Sequence, residues 1–257
     1  MTTNANRADW FIIPKPVRNA RLRLICFPYA GGGSMIYRSW AEHLPEEVEL
    51  CCAQLPGRES RIREPFFDRV RPLVEASAEA MLPYLDKPFA LFGHSMGALI
   101  SFELTRVLKE KYDKQPMGLF VSARRAPQVP SNETPMHNLP DDEFLEELAR
   151  LNGTPQEVLD NPELLEMIQP LLRADFAVCE TYQYEPGAAL DCPLFAFGGL
   201  KDLEVGREKL EPWREHTSAY FVLRMLPGDH FFLHSSKRLL IQMVSHELLH
   251  LLRSGRC

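Results

Sequence analysis

The sequence predicts an α/β fold, in which a mostly parallel central sheet is flanked by helices on both faces. Short apolar runs rich in β-branched and aromatic residues recur along the chain, and stretches with the apolar spacing of amphipathic helices separate them. The composition agrees with this fold class, because 257 residues with 45% hydrophobic and 25% charged side chains can bury a sizeable core.

The alternation gives the elements in order. Strands are predicted at residues 21–27, 48–54, 89–92, 117–122, 193–197 and 219–225. Helices are predicted at residues 34–43, 70–85, 96–112, 203–216 and 237–252. Residues 1–130 and 186–257 are therefore expected to form one sheet-containing core.

Residues 131–185 interrupt this alternation. They contain no strand-like run but carry helical spacing at residues 141–151 and 163–182, preceded by Pro140 and by Asn161-Pro162. A helical insertion between two strands is most simply a lid over the site at the strand ends. The alternative is a permanent packing layer with no gating role.

Charge and composition exclude several classes of protein. The 29 Lys and Arg against 35 Asp and Glu give a net charge of -6, which disfavours nucleic-acid binding. No apolar run is long enough to span a membrane. The cysteines lack metal-ligand spacing, so we expect no metal and read them as reduced thiols of a cytoplasmic protein. They are Cys26, Cys51, Cys52, Cys179, Cys192 and Cys257.

The strongest local signal is the sequence GHSMG, from Gly93 to Gly97. It follows a short apolar strand and begins a predicted helix, which is the setting of a nucleophile elbow. The two glycines are needed because side chains beside so tight a turn would clash. The pattern therefore predicts Ser95 as a nucleophile, and the alternative is a glycine-rich turn with an ordinary surface serine.

A nucleophilic serine needs a histidine base that follows it in the chain. His230 lies at the tip of a Pro-Gly turn after a predicted strand, and it is the preferred candidate. His234 is the serious rival, although its apolar setting indicates packing. His94 lies within the elbow and is expected to point away from Ser95.

The base in turn needs an orienting carboxylate. Asp202 follows an apolar strand and a Gly-Gly turn, which places it at the carboxyl end of that strand. Asp191 precedes the strand, and Asp229 is too close in sequence to His230 to orient it easily. Asp202 is therefore the predicted acid.

The tetrahedral intermediate of acyl transfer requires amide donors for its oxyanion. The amide after the nucleophile is that of Met96, and Ala30 lies in the glycine-rich loop at residues 27–33. These two amides are the predicted oxyanion hole. A phosphate-binding loop is the alternative, but the loop lacks the glycine spacing of either common phosphate motif.

Six ordered motifs resemble one family along nearly the whole chain, from about Trp10 to Leu251. They are FPYAGGG at 27–33, QLPGRE at 54–59, FGHSMGA at 92–98, SARRAP at 122–127, FGGLKD at 197–202 and GDHFFL at 228–233. The sequence resembles the type II thioesterases of polyketide and nonribosomal peptide synthesis, a family that also contains the medium-chain fatty acyl thioesterases. Ala123 stands where many such relatives have glycine.

The resemblance implies an α/β-hydrolase fold with a helical lid. It implies hydrolysis of acyl thioesters on the phosphopantetheine arm of acyl or peptidyl carrier proteins, to clear stalled or misprimed synthases of antibiotic-type pathways. By position, Ser95 is similar to the family's nucleophile, Asp202 to its acid, His230 to its base, and Ala30 and Met96 to its oxyanion donors. No cofactor of its own is implied, because the substrate carries the phosphopantetheine.

A carrier protein is therefore the expected partner, and we expect the enzyme to be a monomer. Carrier domains are commonly acidic, so basic residues after the second strand are candidates for docking. The preferred ones are Arg58, Arg61 and Arg63, with Arg69 and Arg71 nearby. The alternative is a solvated loop whose arginines pair with neighbouring carboxylates.

Other functions remain open on the sequence alone. The same triad cleaves oxygen esters, so a carboxylesterase or lipase is the nearest alternative, followed by an acyltransferase or cyclase. A non-catalytic protein that binds carrier domains is the alternative from a different class.

Overall fold

A seven-stranded sheet forms the centre of the computed structural model, which describes residues 10–131, 134–151 and 153–255. Cys257 lies outside these residues. In chain order the strands are β1 Phe11–Ile12, β2 Leu22–Phe27, β3 Val48–Ala53, β4 Phe89–His94, β5 Leu119–Ser122, β6 Leu194–Gly199 and β7 Phe221–Leu226. Their spatial order is β1-β3-β2-β4-β5-β6-β7, and all neighbours are parallel except β1 and β3. The predicted mostly parallel α/β fold is confirmed.

The first strand was not predicted. β1 has only two residues, and Phe11 and Ile12 pair antiparallel with Ala53 and Cys52 of β3. So short a strand between Trp10 and Pro14 leaves no alternating pattern to recognise, and only the pairing with β3 defines it.

Helices cover both faces of the sheet. They are α1 Met35–Arg38, α2 Val70–Met81, α3 Met96–Tyr112, α4 Asp141–Arg150, α5 Gln156–Leu159, α6 Pro162–Glu180, α7 Arg207–Leu210, α8 Phe232–Ser235 and α9 Lys237–Arg253. Three of them continue as 3₁₀ turns, at Ser39–Glu42 after α1, Leu82–Tyr84 after α2 and Glu211–His216 after α7.

The single helix predicted at residues 203–216 is wrong in its first turn. The amides of Glu204 and Val205 donate to Oδ1 of Asp202 at 2.9 and 3.0 Å, so this segment wraps around a carboxylate. Helix α7 begins only at Arg207, and Pro212 lies within the 3₁₀ turn that follows.

The core lies in two layers, one on each face of the sheet. Alternate side chains of a strand point to opposite faces. Accordingly, Ile25 of β2 joins the apolar cluster with α2 and α3, whereas Leu24 joins the cluster with Trp40 and α9. Because both faces are covered, β2 to β6 are buried along their whole length.

Helices α4, α5 and α6 lie between β5 and β6 in the chain, within residues 131–185, which we call the lid segment. Helix α5 was not predicted. The lid segment has a small apolar cluster of its own, centred on Met136, Phe144, Leu148 and Leu172. Among the described helices, none combines the length and apolar character that crossing a bilayer requires.

Candidate active site

Ser95 lies on a tight turn between β4 and α3, with φ 52° and ψ -113°. A non-glycine residue in this region is strained and persists only where its surroundings enforce it. A Cβ atom on Gly93 would lie 2.0 Å from the carbonyl oxygen of Gly97, and one on Gly97 would lie 2.1 Å from that of Phe27. The glycines of the motif therefore allow the turn itself and its close approach to the end of β2.

Asp202 and His230 meet at the carboxyl ends of β6 and β7. Nδ1 of His230 lies 2.9 Å from Oδ2 of Asp202, whose side chain is fully buried. Burial alone would raise the pKa of the Asp202 carboxyl. The His230 ring and the amides of Val205 and Glu204 outweigh this effect and hold the pKa below its ordinary value. Asp202 is therefore a carboxylate that can orient the ring.

Backbone packing brings these two loops together. A Cβ atom on Gly199 would lie 2.3 Å from the carbonyl oxygen of Asp229 and 2.7 Å from that of Gly228. The amide of Lys201 also donates to the Gly228 carbonyl at 2.8 Å. The turn that carries the acid and the loop that carries the base are thus in direct backbone contact.

His94 has a role that the sequence analysis missed. Its ring is fully buried, with Nε2 2.9 Å from the carbonyl oxygen of His230 and Nδ1 2.9 Å from Oγ of Ser122. Because a carbonyl only accepts, these contacts assign the ring proton to Nε2. Burial, with a smaller contribution from nearby His230, holds the pKa of His94 well below its ordinary value. A neutral His94 therefore fastens the His230 loop to the elbow.

This contact places His230 beside the elbow, with the His94 and His230 rings 5.6 Å apart between centroids. In the described part of the chain, no direct hydrogen bond joins Ser95 Oγ to the His230 ring. Contacts between nucleophile and base are often long in free enzymes and shorten when substrate binds.

The two predicted oxyanion donors lie on adjoining elements. Met96 is the first residue of α3, so its amide has no acceptor within the helix. Ala30 lies in the loop after β2, and the close contact of Gly97 with Phe27 brings this loop to the start of α3. The helix also directs the positive end of its dipole toward the same point.

His234, the rival base, lies elsewhere in the site. Its Nε2 is 3.0 Å from the hydroxyl of Tyr29, and burial lowers its pKa, with a smaller contribution from Lys237. It makes no contact with Asp202 among the described residues. A cavity of about 460 Å³ lies beside this pair, between the core residues Tyr29, Phe231 and His234 and the lid residues Ala149, Gly153, Thr154, Pro155, Gln156 and Leu159.

Two of the three arginines expected to dock a carrier are not available for it. Arg58 and Arg61 are only 6% and 3% exposed. Arg58 pairs with Asp175 of the lid segment, and Arg61 pairs with Glu64 and lies 4.1 Å over the ring of Trp10. The prediction for these two is therefore corrected, because buried and paired guanidinium groups offer no accessible charge.

The other arginines of this run are on the surface. Arg63 is exposed. Arg69 and Arg71 are also exposed, and they pair with Asp68 and Glu75. Within residues 10–131, 134–151 and 153–255, no group of three or more potential metal-ligating side chains converges.

A strained serine, a buried carboxylate–histidine pair and the first amide of α3 lie at the carboxyl ends of the strands and define a serine hydrolase of the α/β-hydrolase fold. A family model described as a thioesterase domain matches residues 22–248. The chain belongs to the thioesterase family, and it is a thioester hydrolase. The resemblance inferred from the six motifs is confirmed.

Individual relatives agree over nearly the whole chain. The gramicidin S biosynthesis protein GrsT of Aneurinibacillus migulanus is 46% identical, over 96% of this chain and 97% of its own. RedJ, a thioesterase from the prodiginine pathway of Streptomyces coelicolor, is 38% identical with a TM-score of 0.85, covering 96% of both chains. BorB, a type II thioesterase from the borrelidin cluster, is 33% identical with a TM-score of 0.85, covering 95% of this chain and 100% of its own.

Proposed function

We propose that this thioesterase is an editing enzyme that removes acyl groups from the phosphopantetheine arm of acyl or peptidyl carrier proteins in polyketide or nonribosomal peptide synthesis. The observation that carries the proposal is the buried Asp202–His230 pair beside the strained Ser95, in a chain similar over almost its full length to type II thioesterases.

In the proposed reaction, Oγ of Ser95 attacks the thioester carbonyl and His230 accepts its proton. Asp202 orients the ring and stabilises its charged form, while the amides of Ala30 and Met96 receive the oxyanion. The carbon–sulfur bond then breaks, and His230 returns the proton to the departing thiolate. A thiol with a pKa of about 8.5 leaves easily, so this step needs no metal.

The resulting acyl-serine is hydrolysed in the second half of the reaction. His230 accepts a proton from water, the hydroxide attacks the ester, and Oγ of Ser95 leaves with the proton. The cavity beside Tyr29 and Phe231 supports the proposal, because residues next to Ala30 and His230 line it on one side and the lid segment lines it on the other.

The turn that follows β6, next to Asp202, exposes large apolar side chains. Leu200 and Leu203 are 65% and 98% exposed, and the exposed Lys201 lies between them in sequence. We propose this turn as one contact with an acidic carrier domain near its phosphopantetheine, and the exposed Arg63 as a second, separate contact. We also propose that the enzyme works as a cytoplasmic monomer with no cofactor of its own.

The activity is tested by measuring hydrolysis of a short acyl thioester, its oxygen-ester analogue and an acyl group on a carrier protein. We expect the thioester to be preferred over the oxygen ester and the carrier-bound group over both. Ser95→Ala is expected to lower kcat by at least about a thousandfold without unfolding the protein. A strong preference for the oxygen ester would reject the proposed function.

The docking surface is tested with Lys201→Glu and Arg63→Glu. Each is expected to raise the KM for the carrier-bound substrate and to leave the KM for the short thioester unchanged. Arg207→Glu serves as a matched exposed control, since Arg207 faces Glu211. Equal changes in both KM values would contradict this placement of the carrier.

A further inference from the structure

A buried ion pair joins the lid segment to the loop that carries Ala30. Nη1 and Nη2 of Arg58 donate to the two carboxylate oxygens of Asp175 at 2.9 and 2.8 Å. Arg58 belongs to the loop after β3, whereas Asp175 lies in the second half of α6. Their side chains are only 6% and 3% exposed. Neither residue belongs to the proposed triad.

Both partners also bind the backbone of that loop. The amide of Gly31 donates to Oδ2 of Asp175 at 2.7 Å, and Nη1 of Arg58 donates to the carbonyl oxygen of Gly32 at 2.8 Å. The pair therefore holds two consecutive residues, one by its N–H and the other by its C=O, directly after Ala30.

These two residues complete a turn that begins at Tyr29. The amide of Gly32 donates to the carbonyl oxygen of Tyr29 at 2.9 Å, and Gly31 has φ +76°. Glycine is favoured at the third position of such a turn because its φ must be positive. A Cβ atom on Gly31 would also lie 2.5 Å from Cδ2 of Leu172 in α6, so the lid segment packs directly on the turn.

The turn determines where the N–H of Ala30 points. The carbonyl of Tyr29 and the amide of Ala30 belong to one planar trans peptide, so they point in opposite directions. With the carbonyl fixed on Gly32, the Ala30 N–H is directed to the other side of the loop. Any change that frees Gly31 and Gly32 frees this peptide as well.

The charges matter in addition to the geometry. A lone carboxylate at Gly31 would oppose an oxyanion forming near Ala30, and the guanidinium of Arg58 neutralises it. Stability alone does not account for the arrangement, because a buried ion pair is often no more stabilising than apolar residues of similar volume.

We propose that Asp175 and Arg58 are positioning residues that aim the Ala30 amide at the oxyanion, so that docking of α6 and a competent oxyanion hole are one and the same state. The inference rests on the proposed acyl-serine chemistry, and it assigns to the lid segment a part in catalysis through the docked position of α6.

The test compares Asp175→Asn with Glu49→Gln. Glu49 is a matched control, because it is 6% exposed, pairs with the buried Arg23 and accepts a backbone amide, that of Val17. It lies near the amino end of β3, whereas Ser95 follows the carboxyl end of β4, so the two residues lie at opposite ends of the parallel strands. Asp175→Asn leaves Arg58 without its acidic partner, whereas Arg23 keeps its ion pair with Asp86 in Glu49→Gln. Both substitutions should therefore lower the melting temperature, and Asp175→Asn should lower it more.

Only Asp175→Asn is expected to impair catalysis. With a short acyl thioester, at a temperature where both variants are folded, we expect its kcat to fall about 10- to 100-fold, with KM changed less than about twofold. The affinity of a boronic acid that forms a tetrahedral adduct with Ser95 should fall by a similar factor. An unchanged kcat, or an equal fall in Glu49→Gln, would overturn the inference.

A second variant keeps the test decisive if Asp175→Asn does not fold. The double variant Asp175→Asn, Arg58→Gln removes both charges and keeps an acceptor for Gly31 and a donor for Gly32. It should recover at least about tenfold more kcat than the variant Asp175→Ala, Arg58→Met, which lacks both groups. Equal kcat values in the two double variants would reject the positioning role.

These assays separate this inference from the proposed function. Failure of a folded wild-type enzyme to hydrolyse the short thioester would reject the proposed function. A correct function with a wrong inference would instead show normal wild-type hydrolysis and no difference between Asp175→Asn and Glu49→Gln.

Discussion

The candidate active site and the lid segment are held together by different kinds of contact. In the site, backbone meets backbone: Gly97 lies against Phe27, and Gly199 against Asp229, at distances where no Cβ atom fits. In the lid segment, side chains make the contacts, either with other side chains or, at Gly31, with a backbone amide. Its cluster around Phe144 is small, and the second half of α6 is tied to the core by Asp175.

The difference shows how each region responds to change. Close backbone contacts cannot shift without a clash. The sheet and three tight turns therefore fix the relative positions of Ser95, Asp202 and His230. Side-chain contacts in a small cluster can rearrange or open without unfolding the sheet. We therefore expect the lid segment to be the more adaptable of the two regions.

The largest effect we expect is a difference in the free energy of unfolding between a substitution in the core and one in the lid segment. Phe92 and Phe144 are both fully buried, but Phe92 packs in the sheet layer against Tyr37 and Trp40, whereas Phe144 packs in the lid segment. Phe92→Ala should lower the free energy of unfolding by about 3–5 kcal/mol. Phe144→Ala should lower it by only about 1–2 kcal/mol, because the lid cluster can open locally.

Chemical denaturation measures the two free energies, and amide hydrogen exchange locates the change. Phe144→Ala should speed exchange in α4 and α6 and leave β4 protected. Equal losses of stability, with lid exchange unchanged, would show that core and lid unfold as one unit.

The next effect concerns the backbone contact within the site. Gly199→Ala forces the turn that carries Asp202 away from the loop that carries His230. A displacement near 1 Å should lower kcat about 100-fold. Gly187→Ala is the matched control, since its Cβ would meet only the mobile end of the Arg106 side chain, at 2.6 Å. Hydrolysis of a short thioester measures both. Retention of kcat by Gly199→Ala would show that close backbone approach does not set the geometry.

A smaller effect is expected from pH. The pKa of His94 is lower in the folded protein than its value of about 6.5 in the unfolded chain. Above pH 6.5 the ring is neutral in both states. As pH falls below 6.5, only the unfolded chain gains the proton, so His94 should reduce stability by about 1.4 kcal/mol for each pH unit.

Thermal unfolding between pH 7 and pH 5 checks this slope. His94→Gln should remove one proton's contribution to it, whereas the lowered pKa values of His216 and His234 act equally in both proteins. An identical slope in the variant would mean that His94 titrates normally in the folded state.

The smallest effect is expected at Ala123, where the resemblance to the family suggests glycine. Ala123 has φ 51° and is fully buried at the end of β5, with its amide bonded to the Phe197 carbonyl at 2.8 Å. Ala123→Gly relieves the strain of a left-handed residue, which stabilises the fold. It also removes a buried methyl group and raises the conformational entropy of the unfolded chain, and both of these destabilise it. The net change should be within about 1 kcal/mol. A loss above about 2 kcal/mol by denaturation would mean that the methyl group is needed for packing.

The local sequence predicted the elements that carry the catalytic residues better than it predicted the helices of the lid segment. Helix α3 was predicted with the bounds Met96 and Tyr112, because a glycine-rich turn and an apolar repeat mark both of its ends. The turns that carry Asp202 and His230 could likewise be found from strand ends and glycines. Their hydrogen bond needed the structure, since no pattern specifies a contact across two loops.

The arginines show what sequence patterns could not reveal. Arg58 and Asp175 are 117 residues apart, so no local spacing indicates that they pair. A basic run is read as a charged surface, and only the fold shows that Arg58 and Arg61 point inward while Arg63 stays outside. His94 was overlooked for a similar reason, because its partner is a carbonyl oxygen 136 residues further along.

The attachment of α6 to the loop that carries Ala30 has a consequence for protein engineering. Chimeras that exchange whole lid segments to alter acyl preference would succeed only if the new segment supplies a carboxylate where Asp175 stands. A foreign helix that fits the pocket but lacks this group would yield a folded protein with a poorly formed oxyanion hole, and its low turnover could be mistaken for poor substrate fit. A design that grafts only α4 and α5, and keeps the native second half of α6, avoids this failure.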